Sequence, residues 1–283
     1  MKQPFGYYGG KRRLVPELLK LIPSHNQYCE VFIGGGSLFW NKTPSKSEVI
    51  NDFDGMVTNF YMQLKTNYEE LNKMIQGTLH SEILHTEAQN IIFKEPEKHS
   101  DLKKAWAWWV CTNLSFSFVA NGGFAFSNSD TNSKGTKNKR ARFTEMLCKR
   151  IEKVEIFNRD AVEVIELKST PETLIFADPP YYNSDMGHYD GYKESDFVNL
   201  LNCLANTKAK FILTSYPSDI LNKFREEYGW GFKDIQQIVS VNGMREETKY
   251  KTECITYNFD PPSSQYSFLN ENNDFLFAEN EDD

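Results

Sequence analysis

The sequence predicts an α/β fold, one twisted sheet into which a mostly helical insert has been placed, on three observations. Short β-prone runs at 28–33, 47–52 and 173–177 end in glycines or a carboxylate. Long helical stretches fill 55–76, 79–93 and 101–119. Strand signals then return at 154–157, 174–177, 209–214, 234–241 and 254–259.

Taken in order, the chain opens with a glycine-rich loop (Gly6, Gly9, Gly10) that becomes helical at about 12–21, with apolar residues at 14, 18, 19, 21 and 22. Tyr28-Cys29-Glu30-Val31-Phe32-Ile33 reads as a strand, Gly34-Gly35-Gly36-Ser37 as a turn and Leu38 as a helix start. Ser47-Glu48-Val49-Ile50-Asn51-Asp52 is a second strand with an acid at its tip. Strand, glycine turn, helix and acid-tipped strand make the first half of a nucleotide-binding sheet. Residues 1–54 and 150–262 are expected to form one discontinuous domain, with 55–149 as an insert carrying a polar basic loop and 263–283 as a disordered acidic tail.

At 283 residues, 40% of them hydrophobic, the chain is long enough for one large domain with a packed core. No run reaches the roughly 18 to 20 apolar residues of a membrane span, and the N-terminus lacks the apolar segment of a signal peptide. The five cysteines are scattered without metal or disulfide spacing, which points to a reducing cytoplasm, and no metal site is expected. A net charge of −7 argues at first against a nucleic-acid partner, yet six acids and no base lie in 270–283, and without them the remainder carries −1. Residues 134–142 hold five basic side chains and no acid. The charge is segregated.

Asp178-Pro179-Pro180-Tyr181 follows the run Thr173–Ala177. The two prolines fix φ and remove backbone donors, so a carboxylate, carbonyl acceptors and an aromatic face leave the strand in a stiff arrangement. Such a set can grip an amino group on a flat ring, although a strand end with a proline-rich turn accounts for the tetrapeptide taken alone. The amides of 34–37 can approach a ligand closely, but neither a spaced dinucleotide motif nor a Walker lysine is present. Asp52 is placed either for ribose hydroxyls or as a helix cap, and Asp160 either for an adenine edge or as a cap. In 121–126, glycines beside aromatics suggest a hairpin or loop that, with the basic run, could meet bases and phosphates; a solvated charged loop is the plainer reading. Trp106, Trp108 and Trp109 read as core.

Together these segments resemble the Dam-type (D12 class) DNA adenine-N6 methyltransferases. Pro4-Phe5-Gly6-Tyr7-Tyr8-Gly9-Gly10-Lys11-Arg12 is similar to that family's P-F-x-x-W-x-G-G-K-R segment, and Glu30–Ser37 to its E-P-F-x-G-G-G-S loop. Asn51-Asp52-Phe53-Asp54 is similar to its strand-end D-x-N, and 178–181 is its D-P-P-Y. Weaker similarity continues through Thr214-Ser215-Tyr216 and Lys251–Asn258. Tyr8, Val31 and Asp54 depart from the family's tryptophan, proline and asparagine without removing a needed group.

The resemblance implies a Rossmann-like sheet, S-adenosyl-L-methionine as cofactor and double-stranded DNA as partner, in the cytoplasm of a bacterial or phage-infected cell. No membrane association is implied, and the subunit state is left between a monomer and a weak dimer. It implies cofactor contacts from Tyr8, Gly9, Gly10, Lys11, Phe32, Gly34, Gly35, Gly36, Ser37, Asp52, Asp160 and Asp178. Asp178, Pro179, Pro180 and Tyr181 would hold a flipped adenine, which costs a few kcal/mol to unstack. Asn121 and Gly123 are candidates for the recognition loop, and Lys134, Lys137, Lys139, Arg140 and Arg142 for DNA contact. Cytosine N4 on DNA, an RNA base or a protein amide nitrogen are alternative acceptors, and a scaffold binding DNA without turnover is the non-enzymatic reading.

Overall fold

In the computed structural model, the described residues are 1–126, 131–183, 191–239 and 249–262. The acidic tail expected at 263–283 lies outside them. Five parallel strands, β1 (Gln27–Glu30), β2 (Ser47–Asn51), β3 (Glu155–Phe157), β4 (Thr173–Ala177) and β5 (Lys210–Ser215), are joined by an antiparallel pair, β6 (Gly231–Val239) and β7 (Lys249–Tyr257). The order across the sheet is β3-β2-β1-β4-β5-β7-β6. Its parallel part runs 3-2-1-4-5, the Rossmann-like order, and the direction of winding reverses between β1 and β4.

Alternation along the strands sorts two cores. Tyr28, Ile50, Leu174, Phe176, Ile212 and Ile255 face one side, and Cys29, Val49, Ile175, Ala177, Phe211, Leu213 and Cys254 the other. With both faces covered, β4 is buried at every position and can be apolar throughout. The second face is covered by α9 (Ala161–Lys168), α10 (Glu194–Asn206) and α11 (Asp219–Tyr228).

The first face carries α1 (Val15–Leu21), α2 (Ser37–Asn41) and the helices between β2 and β3: α3 (Gly55–Thr66), α4 (Tyr68–Gln76), α5 (Glu82–Gln89), α6 (Asp101–Leu114), α7 (Thr131–Arg142) and α8 (Glu145–Ile151). Residues of α3, α4, α6 and α8 share a continuous hydrophobic core with the sheet. Trp106, Trp108 and Trp109 are buried in it, as expected. The N-terminal segment is stitched to these helices by Phe5 packing edge-on against Phe60 at 4.7 Å and by Trp109 donating to the Pro4 carbonyl at 3.0 Å. On α8, Arg150 pairs with the Glu48 carboxylate of β2 and lies 3.9 Å from the Phe39 ring.

Several boundaries differ from expectation for identifiable reasons. The first helix begins at Val15 because Pro16 fits only its first turn. Residues 55–76 are two helices, broken at Asn67, whose side chain bonds to Gln63 and Thr66. The third stretch ends at Leu114 rather than 119, and Ser117 and Phe118 take left-handed φ of 53° and 60°. The first strand stops at Glu30, where the chain turns toward the glycines, while β6 and β7 start earlier than predicted and form a long hairpin. The basic run, expected as a solvated loop, lies on α7. Buried Thr136 and the adjoining Phe143 seat that helix, and Lys, Arg and Ala favour it intrinsically. No helix among the described residues is long and apolar enough to cross a membrane.

Candidate active site

The carboxyl ends of β1, β2 and β4 open into one cleft at the point where winding reverses. Such a crevice is where open α/β sheets bind ligands. Of the residues predicted from sequence, Tyr8, Gly9, Gly10, Lys11, Phe32, Gly34, Gly35, Gly36, Ser37, Asp52, Asp178, Pro179, Pro180 and Tyr181 all line it. They come from four separate segments of the chain: 8–11, 32–37, 52 and 178–181.

Asp178 sits one residue beyond β4. Its Oδ1 accepts from Thr214 Oγ1 at 2.6 Å and from the Tyr181 hydroxyl at 3.3 Å, and lies 2.9 Å from Lys11 Nζ. Among the described residues these contacts all fall on Oδ1, leaving Oδ2 as the oxygen that can take a ligand's N–H. The Tyr181 hydroxyl also donates to Glu253 Oε2 at 2.9 Å. Lys11 Nζ lies 4.5 Å from the Tyr181 ring centroid, and the Tyr216 ring meets it edge-on at 4.3 Å. Burial, followed by the charges of Asp178 and Glu253, raises the Tyr181 phenol well above its usual range, so the hydroxyl stays protonated and a donor.

Across the cleft, the glycine loop wraps a carboxylate. The Gly34 amide donates to Asp52 Oδ2 at 2.8 Å and the Asp54 amide to Oδ1 at 3.0 Å. Burial nonetheless raises the Asp52 pKa to about 6. Asp54, not Asp52, caps α3, through the Met56 amide at 2.8 Å. Gly34 adopts φ +43°, and a Cβ there would stand 2.7 Å from the Tyr7 ring; the two glycine loops therefore fit only without side chains. Ser37 Oγ accepts from Gln3 Nε2 at 2.6 Å, tying the same loops together. Beneath them Glu30 takes a hydrogen bond from Tyr28 at 2.6 Å, and burial raises its pKa to about 8.

The remaining predicted residues are not in the cleft. Asp160 is the N-cap of α9, accepting from the Val162 amide at 2.8 Å. Asn121 and Gly123 are exposed in a narrow loop closed by a Ser115–Phe124 bridge. On α7, Lys137 and Arg142 are exposed, whereas Arg140 donates to the Gln76 carbonyl at 2.8 Å. Lys139 donates to the Asn113 carbonyl at 2.7 Å, and burial, helped by Arg142, lowers its pKa to about 8. The Lys134 side chain lies outside the described residues.

Sequence reasoning left out Glu30, Tyr7, Tyr216 and Lys251, which line the cleft, and Thr214 and Glu253, which bond to the clamp. A signal for four of them was present in the segments 214–216 and 251–258. Among the described residues no group of three or more His, Cys, Asp or Glu is placed to hold a metal ion. The cleft instead suits an elongated polar ligand: a carboxylate at a strand tip for vicinal hydroxyls, close-set amides and Lys11 for an anion, and acceptors for an amine.

Residues 7–246 match the model of the D12 class N6 adenine-specific DNA methyltransferases. The type II methyltransferase M1.LlaDCHI of Lactococcus lactis subsp. cremoris is 46% identical over 68 residues, 24% of each chain. The match thus spans about a quarter of that relative's length. Solved structures that match the chain include a precorrin-6y C5,15-methyltransferase from Geobacter metallireducens, 10% identical with a TM-score of 0.38 over 88% of this chain and 87% of that one. An rRNA methylase from Streptococcus thermophilus is 8% identical, with a TM-score of 0.37 over 91% and 97% of the two chains.

Proposed function

The chain belongs to the D12 class N6 adenine-specific DNA methyltransferase family, and on that premise we propose that it transfers the methyl group of S-adenosylmethionine to N6 of an adenine turned out of duplex DNA. The observation that carries this reading is that the Asp178–Tyr181 clamp and the Asp52–Gly34 loop line one cleft. An amino acceptor and a nucleoside methyl donor held there would share a single space.

The residues present fit the cofactor. Asp52, ionised above about pH 6, can accept two ribose hydroxyls. The amides of Gly9 and Gly35, with Lys11, offer donors for a carboxylate at the cleft wall. Bound S-adenosylmethionine supplies a methyl carbon made electrophilic by its sulfonium. On the acceptor side, Asp178 Oδ2 and the Pro179 carbonyl take the two N6 hydrogens, turning the nitrogen lone pair away from the ring plane. Tyr181 offers its face to the base. S-adenosylmethionine held in the cleft would give its methyl group to the N6 lone pair and leave as S-adenosylhomocysteine, and the N6 proton would pass to water by way of its hydrogen-bond acceptor, Asp178 Oδ2. No side chain needs to become a covalent intermediate, so the contribution of the protein is positioning and fixed electrostatics. Exposed Lys137 and Arg142 are the side chains of α7 best placed for phosphates.

The test is incubation with methyl-labelled S-adenosylmethionine and unmethylated DNA of mixed sequence, followed by nucleoside analysis. Label in N6-methyldeoxyadenosine supports the reading; label in N4-methyldeoxycytidine, or in no DNA base, overturns it.

A further inference from the structure

The closing segment 251–258 resembles the family, yet the chemistry above gives it no role. Within it, Glu253 is 2% exposed, on the strand wedged between β5 and β6. A buried carboxylate is costly unless each oxygen is matched. Here the two oxygens are divided: Oε1 lies 2.7 Å from Lys251 Nζ, and Oε2 accepts the Tyr181 hydroxyl at 2.9 Å. Lys251 is 36% exposed, so the ion pair alone contributes little. The apolar neighbours Cys254 and Ile255 show that this strand can bury ordinary core residues.

What distinguishes the position is the hydroxyl it holds. Asp178 Oδ1 is the other acceptor for Tyr181, but at 3.3 Å, and it already meets Thr214 at 2.6 Å and Lys11 at 2.9 Å. Glu253 is therefore the closer anchor of the phenol. A tyrosine ring fixed at its hydroxyl keeps one plane; released, it can tilt and draw Asp178 with it.

Resting on the function proposed above, we propose that Glu253 is a positioning residue of the amino-group clamp, acting through the Tyr181 hydroxyl. Lys251 joins that carboxylate to the rim of the cleft, where Lys251 Nζ stands 4.4 Å from the Tyr216 centroid. The role calls for a hydrogen-bond acceptor at 253 rather than a charge as such.

The test is a double-mutant cycle, read as single-turnover methyl transfer on a DNA fragment carrying the site mapped for the wild type, beside cofactor affinity. Glu253→Ala is expected to slow transfer about tenfold, the effect of losing one hydrogen bond to a charged group, with cofactor affinity within about twofold on the same scale. Tyr181→Phe should give a similar loss, Glu253→Gln should restore most of the rate, and Glu253→Ala in the Tyr181→Phe background should cost nothing further. If Glu253→Ala fails to bind cofactor, Glu253→Met, which fills the space but accepts no hydroxyl bond, takes its place in the cycle. Wild-type rates in the Glu253 variants, or losses that multiply with Tyr181→Phe, overturn the inference while leaving the function intact. A wild type that methylates no DNA overturns the function, and the inference with it.

Discussion

Lys11 Nζ lies 2.9 Å from Asp178 Oδ1, joining the N-terminal glycine turn to the first residue after β4. Side-chain exposures of 11% and 16% place the pair at the wall of the cleft rather than at the surface. Together with Thr214 and Tyr181, Lys11 fills one oxygen of the carboxylate and so fixes its plane. A carboxylate with one oxygen committed presents the other in a defined direction, as an amino-group acceptor requires.

Thr214→Val tests that arrangement with little change in volume. Thr214 is fully buried, and its hydroxyl makes the shortest of the Asp178 contacts, at 2.6 Å. The variant should fold and bind cofactor, and transfer the methyl group about tenfold more slowly, the magnitude of one charge-assisted bond. Single-turnover kinetics beside a thermal melt separates this outcome from simple destabilisation.

Burial raises the Asp52 pKa from 3.8 to about 6, which makes cofactor affinity pH-dependent. If ribose hydroxyls bind the ionised carboxylate, the dissociation constant should weaken by up to about tenfold per unit below pH 6. In the free protein the sign is opposite. The group stabilises the fold below about pH 4, and that contribution is lost as pH rises through about 6. Calorimetric titration of wild type and Asp52→Asn between pH 5 and 8 checks this, with a flat profile expected for the variant.

Gly34→Ala should damage binding more than folding. A Cβ at φ +43° is strained by about 1 kcal/mol or more, and its 2.7 Å approach to Tyr7 would push the two glycine loops apart. The expected result is a modest drop in melting temperature with cofactor affinity reduced at least about tenfold, measured by titration calorimetry.

Much of the site was legible because its parts sit where β-prone runs end. Asp52, Gly34 and Asp178 follow β2, β1 and β4 at their carboxyl ends, and parallel strands bring those ends together. Thr214 and Glu253 were harder to find. Alternation says that one residue in two faces a given side, but not which side, and β7 inserts between β5 and β6 instead of following its sequence neighbour at the edge. The basic helix was missed because its exposed positions carry no apolar period; among the described residues, buried Thr136 and, just past its end, Phe143 mark its inner side. Asp160 is a cap, a role that the same residue in the same sequence position permitted from the start.

The lysines and arginines of α7 should divide by exposure. Removing Lys137 and Arg142, both exposed, should weaken DNA binding and reduce the slope of log affinity against log salt by about 0.9 per charge. Lys139, whose ammonium is bonded to the Asn113 carbonyl, should lower stability when changed to Met and leave that slope unchanged. Filter binding over a salt series reads both. An unchanged slope in the Lys137/Arg142 variant would place the phosphate contacts on another surface.

The central claim is tested most directly by Asp178→Ala, assayed for N6-methyladenine formation at saturating S-adenosylmethionine beside its cofactor affinity. The account predicts that methyl transfer falls by about two to three orders of magnitude, the range for removal of one preorganised electrostatic partner, while the cofactor still binds. Methylation at the wild-type rate in that variant would contradict it.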